Sequence, residues 1–375
     1  MSTVRTNNIL DASGGNTATI NSMTPTADSL QGFRNRIING DMGIDQRNAG
    51  ASITPANEAY TLDRWSAYTN GAGVYTVQRS STAPAGFVNS LLCTVTTVDS
   101  SVSGSDYYML QQRIEGLNVS DLGWGTANAK TVTISFWVRS SITGTYTVKL
   151  GNSAPDRSYV ATYSISSANT WEQKTITIAG DTSGTWLTTN GIGIEIRFAM
   201  AIGSSFTTSS PNQWVAANVF GSTTASNNWI GTNGATFYIT GVQLEVGSVA
   251  TPFERIDYGR ELALCQRYYQ RATNSSGGIR YLSILQAFST AGVYGVLLRF
   301  PVTFRATPSI SISSSFGGFY NSSSATASTS QPTSINTDGQ AVQTGDWGGG
   351  SGLTAGQGLV CFWNANSYIE GSAEL

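Results

Sequence analysis

Strict two-residue alternation constrains this chain more than any other feature. In Thr131–Arg139, Val132, Ile134, Phe136 and Val138 fall on one parity, and Thr131, Thr133, Ser135, Trp137 and Arg139 on the other. Successive side chains of an extended strand point to opposite faces of a sheet, so nine alternating positions predict a half-buried β-strand. The rhythm returns at Tyr146/Val148/Leu150, Tyr159/Ala161/Tyr163/Ile165, Ile176/Ile178 and Ile192/Ile194/Ile196/Phe198/Met200, with Gly, Ser, Asn and Asp between the runs. Many alternating strands without helices between them predict an all-β fold, an antiparallel jelly-roll β-sandwich over residues 35–257. The phase slips once. Phe237 and Ile239 share one parity, Val242, Leu244 and Val246 the other, and one extra residue at Thr240-Gly241 returns both halves to the core. A β-bulge is predicted there.

Gly259–Arg271 breaks the pattern. Leu262, Cys265 and Tyr269 form a stripe at helical spacing, with Tyr268 beside Leu264. Asp257 is placed to cap the start, and Arg267 and Arg271 to complement the C-terminal dipole. A connector helix is expected over 258–272 and a second, C-terminal β domain over 273–375. In the latter, Val296, Leu298, Phe300, Val302 and Phe304 alternate with Leu297, Arg299, Pro301, Thr303 and Arg305. Pro301 cannot donate to a ladder, so this strand belongs at an edge or turns its proline to the unpaired side. Residues 313–358, rich in Ser, Thr, Asn and Gly, predict long loops rather than a packed sheet. An apolar cluster at Leu359–Trp363 and a last strand ending Ala373-Glu374-Leu375 follow.

Residues 1–34 are polar, with isolated apolar points at Val4, Ile9, Leu10 and Ile20. Such a segment builds no core and becomes ordered mainly on a partner. It reads as an attachment arm anchored by Ile9, Leu10 and Ile20, with a floppy tail as the alternative.

Composition excludes several functions. Charged residues make up 11% of the chain, less than half the usual share of about 25%, so the polar surface is built from Ser, Thr, Asn, Gln and Gly. A net charge of −2 without a cluster of Lys and Arg argues against nucleic acid as a partner. There is no 18-residue apolar run for membrane insertion. The opening Met1-Ser2-Thr3-Val4-Arg5 lacks the apolar region of a secretory signal. A role outside cells would then follow cytoplasmic assembly and lysis. The absence of histidine removes the commonest general base and transition-metal ligand, and with it Ser-His-Asp triads, Cys-His dyads and ordinary zinc sites. Cys93, Cys265 and Cys361 are odd in number and far apart, so three buried, reduced thiols are expected rather than a disulfide scaffold.

The remaining chemistry candidates are thin. Asp41 and Asp45 could serve a glycosidase only if they faced one bond; turn-forming hydrogen bonds are the expectation. Gly348–Gly352 lacks the Lys-Ser/Thr and helix of a phosphate loop. Glu195 and Arg197, alternating with core residues, are expected to pair across strands in solvent, or else to line a polar groove on the outer sheet face. Neither a catalytic residue nor a cofactor or metal is expected. Aromatics carry the binding hypothesis, because a sugar ring has an apolar face and polar edges that suit an exposed indole flanked by amides. Trp137 projects from the polar face of its strand, and Trp186, Trp214 and Trp229 lie in Gly/Ser/Thr/Asn-rich loops. These four are the glycan-binding candidates, with packing against a strand or subunit as the alternative. Trp65 and Trp171 are expected in the core.

Several segments resemble bacteriophage tail-fibre and tail-associated proteins. They are Asn35–Arg47, Tyr60–Trp65, the succession Gly241–Gly247, Thr251–Glu254 and Glu261–Tyr269, then Phe304–Pro308, Ala373–Leu375 and the N-terminal Thr6–Gly15. The resemblance implies a virion-attached homotrimer that joins another virion protein through residues 1–34. With the aromatic candidates, it makes host-surface polysaccharide the expected partner and the virion surface the expected location. A decoration or baseplate component without glycan binding is one alternative. A capsule or lipopolysaccharide depolymerase is another, although no repeat of 20–30 residues is visible. Residues 35–257 also resemble jelly-roll carbohydrate-binding modules, whose first strand carries an Asn-Gly-Asp/Asn-Phe-Glu pattern that helps hold calcium. Here Asn39-Gly40-Asp41-Met42-Gly43 lacks the Phe-Glu, and Thr240 and Gly241 stand where acids are usual. Two hard oxygen donors for calcium are therefore missing.

Overall fold

A computed structural model describes residues 33–275, 278–287, 289, 292–314, 317–321, 335–337, 341–346 and 353–375. The expected arm, with Ile9, Leu10 and Ile20, lies outside them. The fold is all-β, and the chain divides between Ile256 and Asp257 into two compact units.

The first unit is an antiparallel jelly-roll sandwich. One sheet runs in the order β1 (Tyr60–Leu62), β2 (Trp65–Asn70), β5 (Tyr107–Glu115), β10 (Ile192–Ile202), β7 (Gly144–Gly151), β8 (Ser158–Ile165) and β12 (Trp214–Val215). The other runs β3 (Val74–Ser80), β4 (Ser90–Thr97), β14 (Thr236–Val246), β6 (Val132–Ser140) and β9 (Glu172–Ile178). A short parallel pair, β11 (Thr207–Thr208) and β13 (Gly221–Ser222), lies between β10 and β14 in the chain. The chain crosses repeatedly from one sheet to the other, so alternate residues of both face a single core. Val132, Ile134, Phe136 and Val138 fill it with Val148, Leu150, Ile194, Ile196 and Phe198, as their parity predicts. Phe136 meets Phe198 edge-on at 5.0 Å, and Trp65 lies 6.1 Å from Phe198. Each such side chain, fully buried, contributes about 1.5–3 kcal/mol.

The bulge forms where the phase slip puts it. The β14–β6 register shifts between Thr240 and Gln243, and Gly241 takes a φ of +59°. A Cβ at Gly241 would come within 2.6 Å of the Phe87 ring, so this position requires glycine on both counts.

The segments that carry the resemblance interlock here. Asn35 donates through Nδ2 to the Val242 carbonyl (3.1 Å) and accepts through Oδ1 from the amides of Ile37 and Leu244 (both 3.0 Å). Its own amide donates to Glu254 (2.6 Å), while the Glu254 amide donates to Gln243 (2.7 Å). Gly40 donates no side chain to this seam because a Cβ would fall 2.2 Å from the Val242 oxygen.

The second unit opens with the helix, which is shorter than its sequence stripe. It spans Tyr258–Gln266 (α1), capped by the Asp257 carboxylate accepting from the Arg260 amide at 3.0 Å. Tyr269 and Arg271 leave it for β15 (Tyr269–Thr273), which pairs with β23 (Tyr368–Ser372), itself paired with β18 (Ser309–Ile312). Tyr269–Thr273 make ladder bonds to β23 in place of further helical turns. A second sheet contains β16 (Arg280–Ala287), β17 (Gly292–Arg299), β19 (Gly317–Asn321), β20 (Ile335–Thr337), β21 (Ala341–Asp346) and β22 (Gly358–Trp363). Two expectations fail here. β17 ends at Arg299 instead of running to Phe304, because Pro301 stops the ladder; Phe300 and Phe304 then stack edge-on at 4.8 Å in the core. The described part of 313–358 holds three strands where long loops were expected, their alternation masked by small polar residues. All three thiols are buried and joined in no disulfide.

Candidate functional site

The outer face of the seven-stranded sheet gathers the chemistry. Ser66 and Tyr68 project there from β2, Gln111 and Arg113 from β5, Lys149 from β7, and Glu195 and Arg197 from β10. Cross-strand register sets Gln111 beside both Ser66 and Arg197, Arg113 beside Glu195, and Lys149 beside Arg197. Glu195 and Arg197 were expected in solvent. Both are buried: Phe220, from the segment after β10, covers Arg197 and Lys149, and Glu195 lies among the cations around it.

Glu195 is the hub. Its Oε2 meets Arg197 at 2.9 Å and Lys149 at 3.2 Å, and its Oε1 lies 3.5 Å from Arg113. Arg113 also reaches Glu58 at 2.9 Å, and Arg197 donates to Gln111 at 2.7 Å. Burial alone would raise the Glu195 carboxyl, but Lys149, Arg197 and Arg113 together hold it below its ordinary value. Lys149 is fully buried, and burial, reinforced by Arg197, depresses its ammonium to about 8 against the opposing pull of Glu195.

An aromatic platform borders this network. Tyr68 and Tyr107 stack at 4.7 Å and 15°, both half-buried. The Arg197 guanidinium lies 4.0 Å from the Tyr68 centroid and 4.8 Å from that of Phe220, and Phe206 and Phe220 abut Tyr107 edge-on. Burial, then Tyr68, pushes the Tyr107 phenol up to about 12, so Tyr107 is neutral through the physiological range. With Tyr107 on one face and Arg197 over the other, Tyr68 offers its edge, so a sugar can stack on the half-exposed Tyr107 and set its hydroxyls against the fixed amides and charges beside it. Sequence reasoning missed Tyr68 and Tyr107. Their signal was the polar parity Tyr107, Gln111 and Arg113, hidden because Met109 interrupts it with an apolar side chain.

The four tryptophans do not come together. Trp229 is a correction: it is 0% exposed, edge-on to Tyr75 at 5.6 Å, and belongs to the core. Trp186 and Trp214 meet Trp124 in a mutual edge-on cluster with centroids 4.7–5.4 Å apart. Each indole N–H donates to a backbone carbonyl, those of Ser183, Ala179 and Lys130 respectively. The hollow beside Trp124 and Trp186 holds about 10 Å³, room for roughly one water. This cluster packs an edge of the sandwich. Trp137 lies half-buried on the outer face of the five-stranded sheet, opposite Gln173 and Thr240 and against the bare Gly241. Trp171, expected in the core, sits half-buried 5.9 Å from Tyr238. Its parity is opposite to that of Ile176 and Ile178, which turns it outward.

Asp41 and Asp45 accept backbone hydrogen bonds within their own turns, from Gly43 and from Asn48 and Gly50. The residues around Asn39 do not fit calcium. Asn39 donates to the carbonyls of Ile44 and Asp63, Asp63 accepts from Gln46 through both oxygens, and Glu245 accepts from Thr251 and Gln243. Protein donors occupy the oxygens that a hard cation would need. No cluster of three or more metal-ligating side chains occurs among the described residues, nor is any helix there long and apolar enough to cross a membrane.

No protein-family model matches the chain, and no curated protein matches it in sequence. Among solved structures it is similar to the enzymatically active domain of tailspike protein 4 of bacteriophage CBA120, at 14% identity and a TM-score of 0.32, covering 57% of this chain and 22% of that one. It is similar also to the family 11 carbohydrate-binding module of a cellulosomal cellulase of Clostridium thermocellum, at 15% identity and a TM-score of 0.28, covering 54% of this chain and 99% of that one. A family 22 module from Clostridium thermocellum gives 14% identity, a TM-score of 0.29 and coverages of 54% and 98%.

Proposed function

We propose that this chain is a non-enzymatic virion protein of bacteriophage tail-fibre type that binds bacterial-surface glycan on the outer face of its seven-stranded sheet. The observation that carries the binding role is the half-exposed Tyr68–Tyr107 stack, set by Arg197 and bordered by Arg113 and Glu58. The virion role is supported by the tail-protein resemblance of Asn35–Arg47, Gly241–Gly247 and Thr251–Glu254, the segments that interlock around Asn35. Residues 1–34 would attach to another virion protein.

Homotrimeric assembly is part of the same reading. On paired strands β16 and β22 of the second unit, Ile284 is 79% exposed and faces Val360, 39% exposed, with Tyr281 at 72% nearby. An apolar sheet face of this kind suits burial against another copy of the chain. Light scattering should give three times the chain mass, and Ile284→Lys should lower it to that of the monomer.

The binding role is tested on arrays of purified bacterial capsule and lipopolysaccharide. Saturable binding that Tyr107→Ala weakens at least tenfold is the expected result. Binding indifferent to Tyr107→Ala and Tyr68→Ala would remove the platform from consideration.

A further inference from the structure

The platform continues into a recess of about 290 Å³ beside the β2–β3 turn, lined by Thr54, Pro55, Thr69, Asn70, Val74 and Tyr75, with Gly71 and Gly73. Asn70 pairs directly with Tyr107 across β2 and β5, so the recess starts where the platform ends. Its volume lies near the lower bound of small-molecule sites, roughly 300 Å³, which suits a single sugar ring rather than a length of chain.

The walls are fixed. Ile53 exchanges two backbone hydrogen bonds with Val77, at 3.0 and 2.8 Å, which holds Thr54 and Pro55 beside the start of β3. Asn57 accepts from the Thr69 amide at 2.9 Å and ties the same loop to the end of β2. The Gly73 amide donates to the Tyr108 hydroxyl at 2.8 Å, and that hydroxyl donates to Asp99 at 2.7 Å. Gly71 has a φ of +142°, and a Cβ there would fall 2.1 Å from the Tyr108 oxygen, so the turn comes close to this hydroxyl only as glycine. A pre-formed recess avoids much of the ordering cost of binding.

We infer that this recess is a subsite for one uncharged hexopyranose unit of the glycan that lies across Tyr68 and Tyr107; the inference rests on the platform reading. The Thr54 hydroxyl suits a ring hydroxyl, as does Asn70 Oδ1, whose Nδ2 is held by the Ser105 carbonyl at 3.1 Å, and Pro55 and Val74 suit the C–H face. No lining residue carries a charge at neutral pH. Cβ atoms built at Gly71 and Gly73 would lie 3.2 and 3.1 Å from the Cβ atoms of Asp106 and Asp99, so two carboxylate side chains back the turn. An acidic sugar placed there would meet like charge without a balancing cation.

Saturation-transfer difference NMR on the full chain tests this with methyl glucoside, methyl galactoside and N-acetylglucosamine, against methyl galacturonoside. At least one neutral glycoside should give a signal that the uronate does not match. Thr54→Trp, which fills the recess from an exposed position, should cut that signal at least fivefold, as should Asn70→Trp. Tyr107→Ala should spare it while weakening polysaccharide binding. Polysaccharide binding that depends on Tyr107, with no signal from any neutral glycoside, would overturn the subsite and leave the platform standing. A signal unchanged in both filled variants, or equalled by the uronate, would overturn it too. Loss of polysaccharide and monosaccharide binding alike in the wild type would sink both.

Discussion

Arg197 sits over Tyr68, its guanidinium carbon 4.0 Å from the ring centroid, while Glu195 pairs with the same group at 2.9 Å. The contact links a buried ion network to an exposed ring. A cation over an aromatic face in a partly desolvated setting contributes about 1–2 kcal/mol. Arg197→Lys keeps the charge but loses the guanidinium over the ring and the geometry of the Gln111 hydrogen bond. It should lower stability by about 1–2 kcal/mol in denaturant unfolding and weaken polysaccharide binding severalfold.

Lys149 gives the protein a measurable titration. Its folded value of about 8 lies below the ordinary lysine value of 10.5. Below pH 8 both folded and unfolded chains carry the proton, and the cost of burying the charge is fully present. Between pH 8 and 10.5 only the unfolded chain carries it, so this group's contribution to stability rises with pH, by at most about 1.4 kcal/mol per unit. The stability of the wild type relative to Lys149→Met should therefore climb over that window and then level off. A flat difference would contradict the burial of the ammonium.

Glu195 neutralises three cations at once. Glu195→Gln leaves Lys149 and Arg197 without their carboxylate, while Arg113 keeps Glu58 at 2.9 Å; loss of one partner from a buried ion network costs about 3–5 kcal/mol. Removal of the carboxylate also removes the pull that raises Lys149, so the lysine midpoint should move further down in a heteronuclear NMR titration.

Trp229 and Trp137 should part company under mutation. Trp229→Ala empties a fully buried site and should cost about 3–5 kcal/mol. Among the described residues the Trp229 indole N–H has no hydrogen-bond partner, so Trp229→Phe forfeits none of their hydrogen bonds and should cost much less. Trp137→Ala, on a half-exposed face, should cost least of the three. Thermal unfolding of the three variants checks the order.

The sandwich was legible because one face of each strand is buried. Alternation placed Val132, Ile134, Phe136 and Val138 and Ile194, Ile196, Phe198 and Met200 in the core, the slip at Thr240-Gly241 announced the bulge, and Asp257 announced the helix start. The site was far less legible. Phe220 reaches Arg197 and Lys149 from more than twenty residues away in sequence, and cross-strand cations surround Glu195, so what reads as solvated strand residues is a buried network. Loop position suggested exposure for Trp229, but loop composition says nothing about what packs above it. β19–β21 escaped because Ser, Thr, Asn and Gly leave little apolar contrast between the two faces of a strand.

Hydrogen–deuterium exchange of the intact protein with saturating host polysaccharide tests the central claim most directly. Slowed exchange confined to β2, β5 and the β2–β3 turn, and absent in Tyr107→Ala, is the predicted footprint. Protection centred instead on β6 and β9 around Trp137, or on the second unit, would contradict the assignment of the glycan face.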